Sequence, residues 1–333
     1  MAAEIYVISG FLGAGKTTLI QKLLKEAFRN EKVVLIENDF GEISVDAALL
    51  KSSGVEVKEI NAGCICCSLS GDFVKALKEL LDRFRPDKIM IEPSGVGKLS
   101  DIIKACSDPR IKPLATVKGK ITVADVKRCQ MYLDNFGEFF EDQIKHADVV
   151  LLSRTERFPD KVDSASKLVR ELNPHAAIIA KAWSRIPAAE ILHPEQEHHG
   201  QGEHSRYGQG CSCRHHGAQV HEEHCPSGHH HHEGHCDGKH NHGAEDIFDT
   251  VTIRTKGIFS IEDLQARIAK MEQGAKGTIL RAKGILRSTR GCVNLQYLPG
   301  ELKITKSAAS GDMLCFIGRN LNQQELVSLF GGE

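Results

Sequence analysis

Nine consecutive residues near the start of the chain, GFLGAGKTT from Gly10 to Thr18, hold three glycines, one lysine and two threonines. Glycines let successive backbone N–H groups turn toward an anion, and a helix starting there adds the positive end of its dipole. A lysine at the end of the turn supplies a mobile positive charge, and the next hydroxyl suits a hard divalent cation. The spacing is G-x-x-x-x-G-K-[ST], the P-loop pattern, and it falls between an apolar strand-like run and a helical pattern, as the motif requires. Gly10, Gly13, Ala14, Gly15, Lys16, Thr17 and Thr18 are therefore expected to cradle a nucleotide's phosphates. Lys16 would reach the β- and γ-phosphates, and the Thr17 hydroxyl would ligate Mg²⁺.

Carboxylates and thiols follow. IMIEPSGVG ends an apolar run in Glu92, whose carboxylate would hold Mg²⁺ through water, while Gly95 would offer its N–H to the γ-phosphate. By itself an acidic residue after an apolar run is equally a structural feature; beside a P-loop it reads as that loop's partner. ENDFGEISVD places Glu37, Asp39 and Glu42 after the second apolar run, on the strand end where such sheets take their ligands. They would sense nucleotide or ligate metal; a solvated acidic loop is the plainer alternative. NAGCICCSL then packs Cys64, Cys66 and Cys67 into four positions. As thiolates these suit Zn²⁺ or another thiophilic divalent ion, against the alternatives of small buried hydrophobes or a redox pair.

A second group of soft donors lies farther on. Fifteen of the seventeen histidines fall between His193 and His242, among them His229, His230, His231 and His232, together with Cys211, Cys213, Cys225 and Cys236. The tract is internal and interrupted, unlike an artificial tag, and imidazole with thiolate favours Zn²⁺, Ni²⁺, Co²⁺ or copper. The remaining His146 and His175 read as structural or solvated.

The elements that must position these groups show in the periodicity. Apolar strand-like runs span 4–9, 32–37, 55–60, 87–92, 114–125, 148–153 and 176–180, and amphipathic stretches such as 16–29 and 71–84 lie between them. That alternation predicts an α/β fold, a P-loop NTPase domain over 1–192 with a mostly parallel sheet and helices on both faces. Residues 193–243 contain one Val, one Tyr and one Ala and no Leu, Ile, Met or Phe, too little to offset the entropy of ordering. They read as a His/Cys-rich disordered insertion. Over 244–333, four strand-like runs (IFDTVTIRT, GTILRAKGILRS, GCVNLQYLPG, MLCFIGR) and two helical ones (SIEDLQARIAKM, NQQELVSLF) predict a small α+β domain. Its first helix would open at Ser260, with Asp263 at the capping-box position.

The order GFLGAGKTT, ENDFGE, GCICC, EPSG resembles the CobW-type metallochaperone GTPases, relatives of the UreG and HypB nickel-insertion GTPases. RAKGIL and FIGRNLNQQEL resemble that family's C-terminal domain, so the likeness spans nearly the whole chain. It implies GTP and Mg²⁺ at Gly13, Gly15, Lys16 and Thr17, and a metal site at Cys64, Cys66 and Cys67 coupled to the nucleotide. A His-rich insertion between the two domains also fits the family. One segment departs from it: where the family reads guanine with Asn-Lys-x-Asp, this chain has SRTE, Ser153 to Glu156. Glu156 keeps an acceptor for the guanine N–H groups and Arg154 would lie over the base, but Ser153 cannot reproduce an amide. One lost polar contact is worth about 1–3 kcal/mol, so the preference for GTP over ATP is expected to be weakened.

The resulting expectation is a P-loop GTPase of slow turnover that delivers a transition metal, zinc first and cobalt or nickel next. Its partners would be a client metalloprotein or a cofactor-biosynthesis enzyme, and a nucleotide-dependent homodimer is admitted. A formal net charge of −1 gives no reason to expect nucleic acid, and the absence of a long apolar run none to expect a membrane. A cytosolic protein is expected. The rival readings are a metal buffer with a vestigial nucleotide site and a small-molecule P-loop kinase.

Overall fold

Short runs that are apolar throughout can be buried only inside a sheet covered on both faces, and the first half of the chain builds such a sheet. A computed structural model describes residues 2–29, 31–37, 56–59, 69–194 and 247–331. Its elements begin β1 (Ala3–Gly10), α1 (Lys16–Glu26), β2 (Val33–Glu37), β3 (Glu56–Glu59), α2 (Leu69–Phe84), β4 (Lys88–Glu92) and α3 (Leu99–Cys106). They continue with β5 (Ala115–Asp125), α4 (Cys129–Lys145), β6 (Val149–Ser153), α5 (Val162–Leu172), β7 (Ala177–Ile179) and α6 (Ala188–Leu192). The strands pair in parallel in the order β3-β2-β4-β1-β5-β6-β7. All seven coincide with the apolar runs of the sequence.

Alternate strand residues sort to opposite faces, as the two-residue period demands. Ile5, Val34, Ile36, Ile89 and Ile91 face the apolar sides of α2, α3, α4 and α5. Tyr6, Ile8, Leu35 and Met90 face α1 and α6. Parallel pairing brings the C-terminal ends of β1, β2 and β4 to one edge, so the P-loop, Glu37 and Glu92 share it.

Beyond the His-rich segment a separate antiparallel sheet forms from β8 (Asp249–Arg254), β9 (Thr278–Ser288), β10 (Gly291–Leu298), β11 (Glu301–Lys306) and β12 (Met313–Arg319). Its order is β11-β10-β9-β12-β8. Helices α7 (Ile261–Gly274) and α8 (Gln323–Phe330) cover one face, with Leu264, Ile268, Met271, Leu326 and Phe330 buried against it. Ser260 caps α7 as expected, accepting from the Asp263 N–H at 3.0 Å, while the Asp263 carboxylate turns to Arg267 and leaves the box half made. Strand β11 escapes the sequence pattern because it is an edge strand, half-exposed and rich in lysine, as edges that must resist pairing usually are.

Among the described residues the other face of this sheet forms no core of its own. Leu280, Cys315 and Ile317 join the cluster built by the first sheet and α2–α5, and Met1–Glu195 with His242–Glu333 makes one compact unit. The junction is aromatic: Phe248 lies 5.3 Å from Phe136, 5.2 Å from Phe139 and 6.4 Å from Phe11, ring centre to ring centre. Among the described residues no helix is long and apolar enough to cross a membrane.

Phe248 is 2% exposed and reaches both parts of the unit. Phe248→Ala should therefore lower stability by about 3–5 kcal/mol, the usual cost of emptying a buried phenylalanine site. Urea unfolding followed by fluorescence measures it; a loss below about 1 kcal/mol would show that the junction carries little of the stability.

Candidate functional site

The P-loop leaves β1 at Gly10, whose φ of 140° no side-chain-bearing residue adopts comfortably. A Cβ there would also lie 2.3 Å from the Val123 carbonyl oxygen, so strand β5 passes too close for any other residue. Phe11 and Leu12 turn inward and anchor the loop: the Phe11 ring centre lies 4.2 Å from that of Tyr132 in a tilted pair, and the Leu12 carbonyl accepts from the Tyr132 hydroxyl at 3.1 Å. Gly15 forms the left-handed cap of α1. Ala14 is buried between them, and Lys16 opens the helix almost wholly buried.

Four of the expected side chains converge. Thr17 Oγ1 lies 3.4 Å from Glu92 Oε1, and Lys16 Nζ lies 3.8 Å from the same oxygen. Glu37, buried, is the neighbour of Glu92 in strand register. A hydroxyl and carboxylates facing a phosphate loop make an all-oxygen donor set, which fits a hard cation such as Mg²⁺. Gly95 packs against Leu12, and its loop is held from beneath: Gln143 Nε2 donates to the Gly95 carbonyl at 3.2 Å and the Gly97 carbonyl at 2.8 Å.

The segment expected to meet the base divides. Ser153 is buried at the end of β6 and Glu156 is exposed. Arg154 sits between them with φ 63°, and each of its three guanidinium nitrogens has a partner. Nε lies 3.3 Å from Asp125 Oδ2, Nη2 donates to the Gly13 carbonyl at 3.3 Å, and Nη1 pairs with Glu301. Trp183, just past β7, donates to the Leu152 carbonyl at 2.8 Å and lays its ring beside Gly15.

Asp39, Glu42, Cys64, Cys66, Cys67, Cys211, Cys213, Cys225, Cys236 and His229, His230, His231 and His232 lie outside the described residues. Among the described residues no three His, Cys, Asp or Glu side chains gather to hold a metal ion. Cys106 and Cys129 are buried thiols that burial pushes up to about 12, which makes them neutral packing groups. His146 is exposed and packs its ring nitrogen against Asp142, in line with a structural role.

Several residues at this edge escape sequence reading. Asp125 ends the long apolar strand β5 just as Glu92 ends β4, and that shared signal would have found it. Trp183 is the chain's one tryptophan and directly follows the last strand of the sheet. Lys283 stands inside the apolar run of β9, beside Cys315 in register, and is 2% exposed. Burial pushes its ammonium down to about 8, against the upward pull of Cys315 and Glu37. Leu298 and Glu301, which end β10 and open β11 on either side of the turn, carry no local signal at all. Leu298 packs over Gly13, on the side where a Cβ would project.

A phosphate loop on a parallel sheet, with a hydroxyl and carboxylates beside it, defines a P-loop nucleotide-binding protein. Residues 4–180 match the CobW/HypB/UreG nucleotide-binding domain, and residues 248–332 match the cobalamin synthesis protein cobW C-terminal domain. The chain belongs to the CobW/HypB/UreG family. It is similar to the zinc chaperone CobW of Sinorhizobium sp, 37% identical over 194 residues covering 50% of this chain and 53% of that one. It is also similar to the zinc chaperone YeiR of Escherichia coli (strain K12), 34% identical over 159 residues covering 48% of each. The chain thus spans about half the length of the curated relatives it matches. The crystal structure of Zn(II)-bound YjiA GTPase from E. coli aligns with a TM-score of 0.42 and 17% identity, over 99% of this chain and 98% of that one.

Partial burial pushes the Glu301 carboxyl up, but the hydrogen bond and charge of Arg154, then of Arg128, outweigh it and hold it at about 2. A carboxyl depressed from its ordinary 4.5 stabilises the fold fully above that value and loses the contribution as pH falls toward 2. The stability difference between the wild type and Glu301→Gln should thus be flat from about pH 8 to 5 and shrink between 4.5 and 2. Urea midpoints of both proteins across that range check it.

Proposed function

We propose that this protein is a P-loop GTPase that couples GTP binding and hydrolysis to the delivery of a transition metal, with zinc the preferred cargo. The convergence of Lys16, Thr17, Glu37 and Glu92 on one sheet edge carries the reading. Strand β3 ends at Glu59 in register with Glu37, and Cys64 comes five residues later in the sequence. The nucleotide loop thus leaves β1 and the Cys64, Cys66, Cys67 motif follows β3 in the same parallel sheet, with β4 and β2 between those two strands. The names of the relatives support zinc as cargo.

In this reading the P-loop amides and Lys16 bind the phosphate chain and stabilise the charge that develops as water attacks the γ-phosphate. Thr17 and Glu92 would hold Mg²⁺, which when bound neutralises phosphate charge. Gly95 would present its N–H to the γ-phosphate from a loop that Gln143 keeps in place. Glu37, Glu42 and the three thiols would take the cargo metal, with the His- and Cys-rich segment as a reservoir. Soft thiolates and hard oxygens sort the two kinds of metal by donor type. A client metalloprotein or a cofactor-biosynthesis enzyme would receive the metal.

Lys16→Ala should cut GTP hydrolysis by at least about 10²–10³-fold, the range for losing one preorganised stabiliser of transition-state charge. Zinc should bind the full-length wild type about 5–150-fold more tightly with a non-hydrolysable GTP analogue than with GDP, the size of ordinary allosteric couplings. Cys66→Ser with Cys67→Ser should remove that difference and leave GDP binding unchanged. Competition titrations against a zinc chelator in each nucleotide state make the measurement, and equal affinities in the wild type would leave a GTPase without a delivery switch.

A further inference from the structure

The turn between β10 and β11 is held against the nucleotide edge by a layer of charge. Asp125 Oδ2 accepts from Arg128 Nη1 at 2.6 Å and lies 3.3 Å from Arg154 Nε. Glu301 Oε2 accepts from Arg128 Nη2 at 3.2 Å and from Arg154 Nη1, and Oε1 accepts from Arg157 Nη1 at 3.0 Å. The Pro299 carbonyl takes a further bond from Arg128, and Leu298 closes over Gly13. Three guanidiniums against two carboxylates leave one net positive charge beside the phosphate loop.

Within this layer Arg154 is constrained on every side. Its fork is met by Asp125 at Nε, by Glu301 at Nη1 and by the Gly13 carbonyl at Nη2. Three acceptors in three directions fix the plane of the guanidinium as well as its position, whereas a lysine's point charge has no plane to fix. Two acceptors, Asp125 and Gly13, come from the nucleotide domain; the third is supplied from 147 residues farther along the chain.

We propose that Glu301 is a positioning residue of the nucleotide-base pocket, holding the Arg154 guanidinium flat so that a purine base stacks on it. The C-terminal sheet then completes the base site. This rests on the reading of Ser153–Glu156 as the segment that meets the base. Stacking on a cation is sequence-tolerant, since every base has a π-face. Glu301 accordingly serves affinity for nucleotides in general and leaves the choice between guanine and adenine to other groups.

The test compares a ligand with a base to one without. Affinities for GDP and for inorganic tripolyphosphate are measured by calorimetry on the full chain as wild type, Glu301→Gln, Arg154→Ala and the double variant. GDP affinity should fall about 5–30-fold in Glu301→Gln, the factor equivalent to about 1–2 kcal/mol of cation–π contact. Tripolyphosphate affinity should stay within twofold, which also reports that the P-loop remains folded. Arg154→Ala should lose at least as much for GDP, and adding Glu301→Gln to it should lose nothing more. Equal losses for both ligands, an unchanged GDP affinity in Glu301→Gln, or additive losses in the double variant would overturn the positioning role while leaving Arg154 at the base. An Arg154→Ala protein that binds GDP like the wild type would instead overturn the reading of the base segment itself.

Discussion

Phe11 points away from the phosphate loop it belongs to, into a cluster formed by Tyr132, Phe136, Phe140 and Phe248. A loop with three glycines has no stiffness of its own, yet its amides must hold still to bind phosphate. Burying Phe11 and Leu12 on the inner side supplies the rigidity that the outer side lacks. Phe248 arrives from beyond the His-rich segment, so one ring of the cluster that backs the loop comes from the C-terminal part of the chain. The antiparallel sheet is thus more than an appendage, since among the described residues its second face packs into the core of the nucleotide domain.

Over that apolar junction lies the layer of buried and half-buried charge. Arg128 is 3% exposed and the Asp125 side chain 1%. Removing one member of such a pair leaves an uncompensated charge in poor solvent, which costs far more than the pair contributes. The layer joins the β10–β11 turn to Arg154 and Arg128 through Glu301 and Pro299. Lys283 extends the same principle toward the phosphate edge, bringing a C-terminal cation within electrostatic reach of Glu37 and Lys16.

Glu37 and Glu92 end adjacent strands, and their chain continuations diverge in chemistry. Glu92 faces Thr17, and Glu37 leads into an acidic segment ahead of the cysteine motif. A single strand register thus sets the oxygen donors suited to Mg²⁺ beside the start of the segment proposed to carry the cargo metal.

What the sequence determined by itself was everything set by short spacing. Seven strands of the first sheet, the phosphate loop, the Ser260 cap and the partnership of Glu92 with the P-loop all rest on patterns a few residues long, where periodicity and local hydrogen bonding decide the outcome. Glu92 needed one further inference, that a parallel sheet brings strand ends together, and the motif licensed it. Strand β11 was not legible, since an edge strand needs no apolar face. The meeting of Arg154 with Glu301 was decided by tertiary structure alone, as were Leu298 over Gly13, Lys283 near Glu37 and Gln143 beneath Gly95. Each joins a residue the sequence singles out to one it does not, and 147 residues separate Arg154 from its carboxylate. The pairs that reach the C-terminal sheet form because two sheets share one apolar core, whereas Gln143 meets Gly95 through packing within the nucleotide domain.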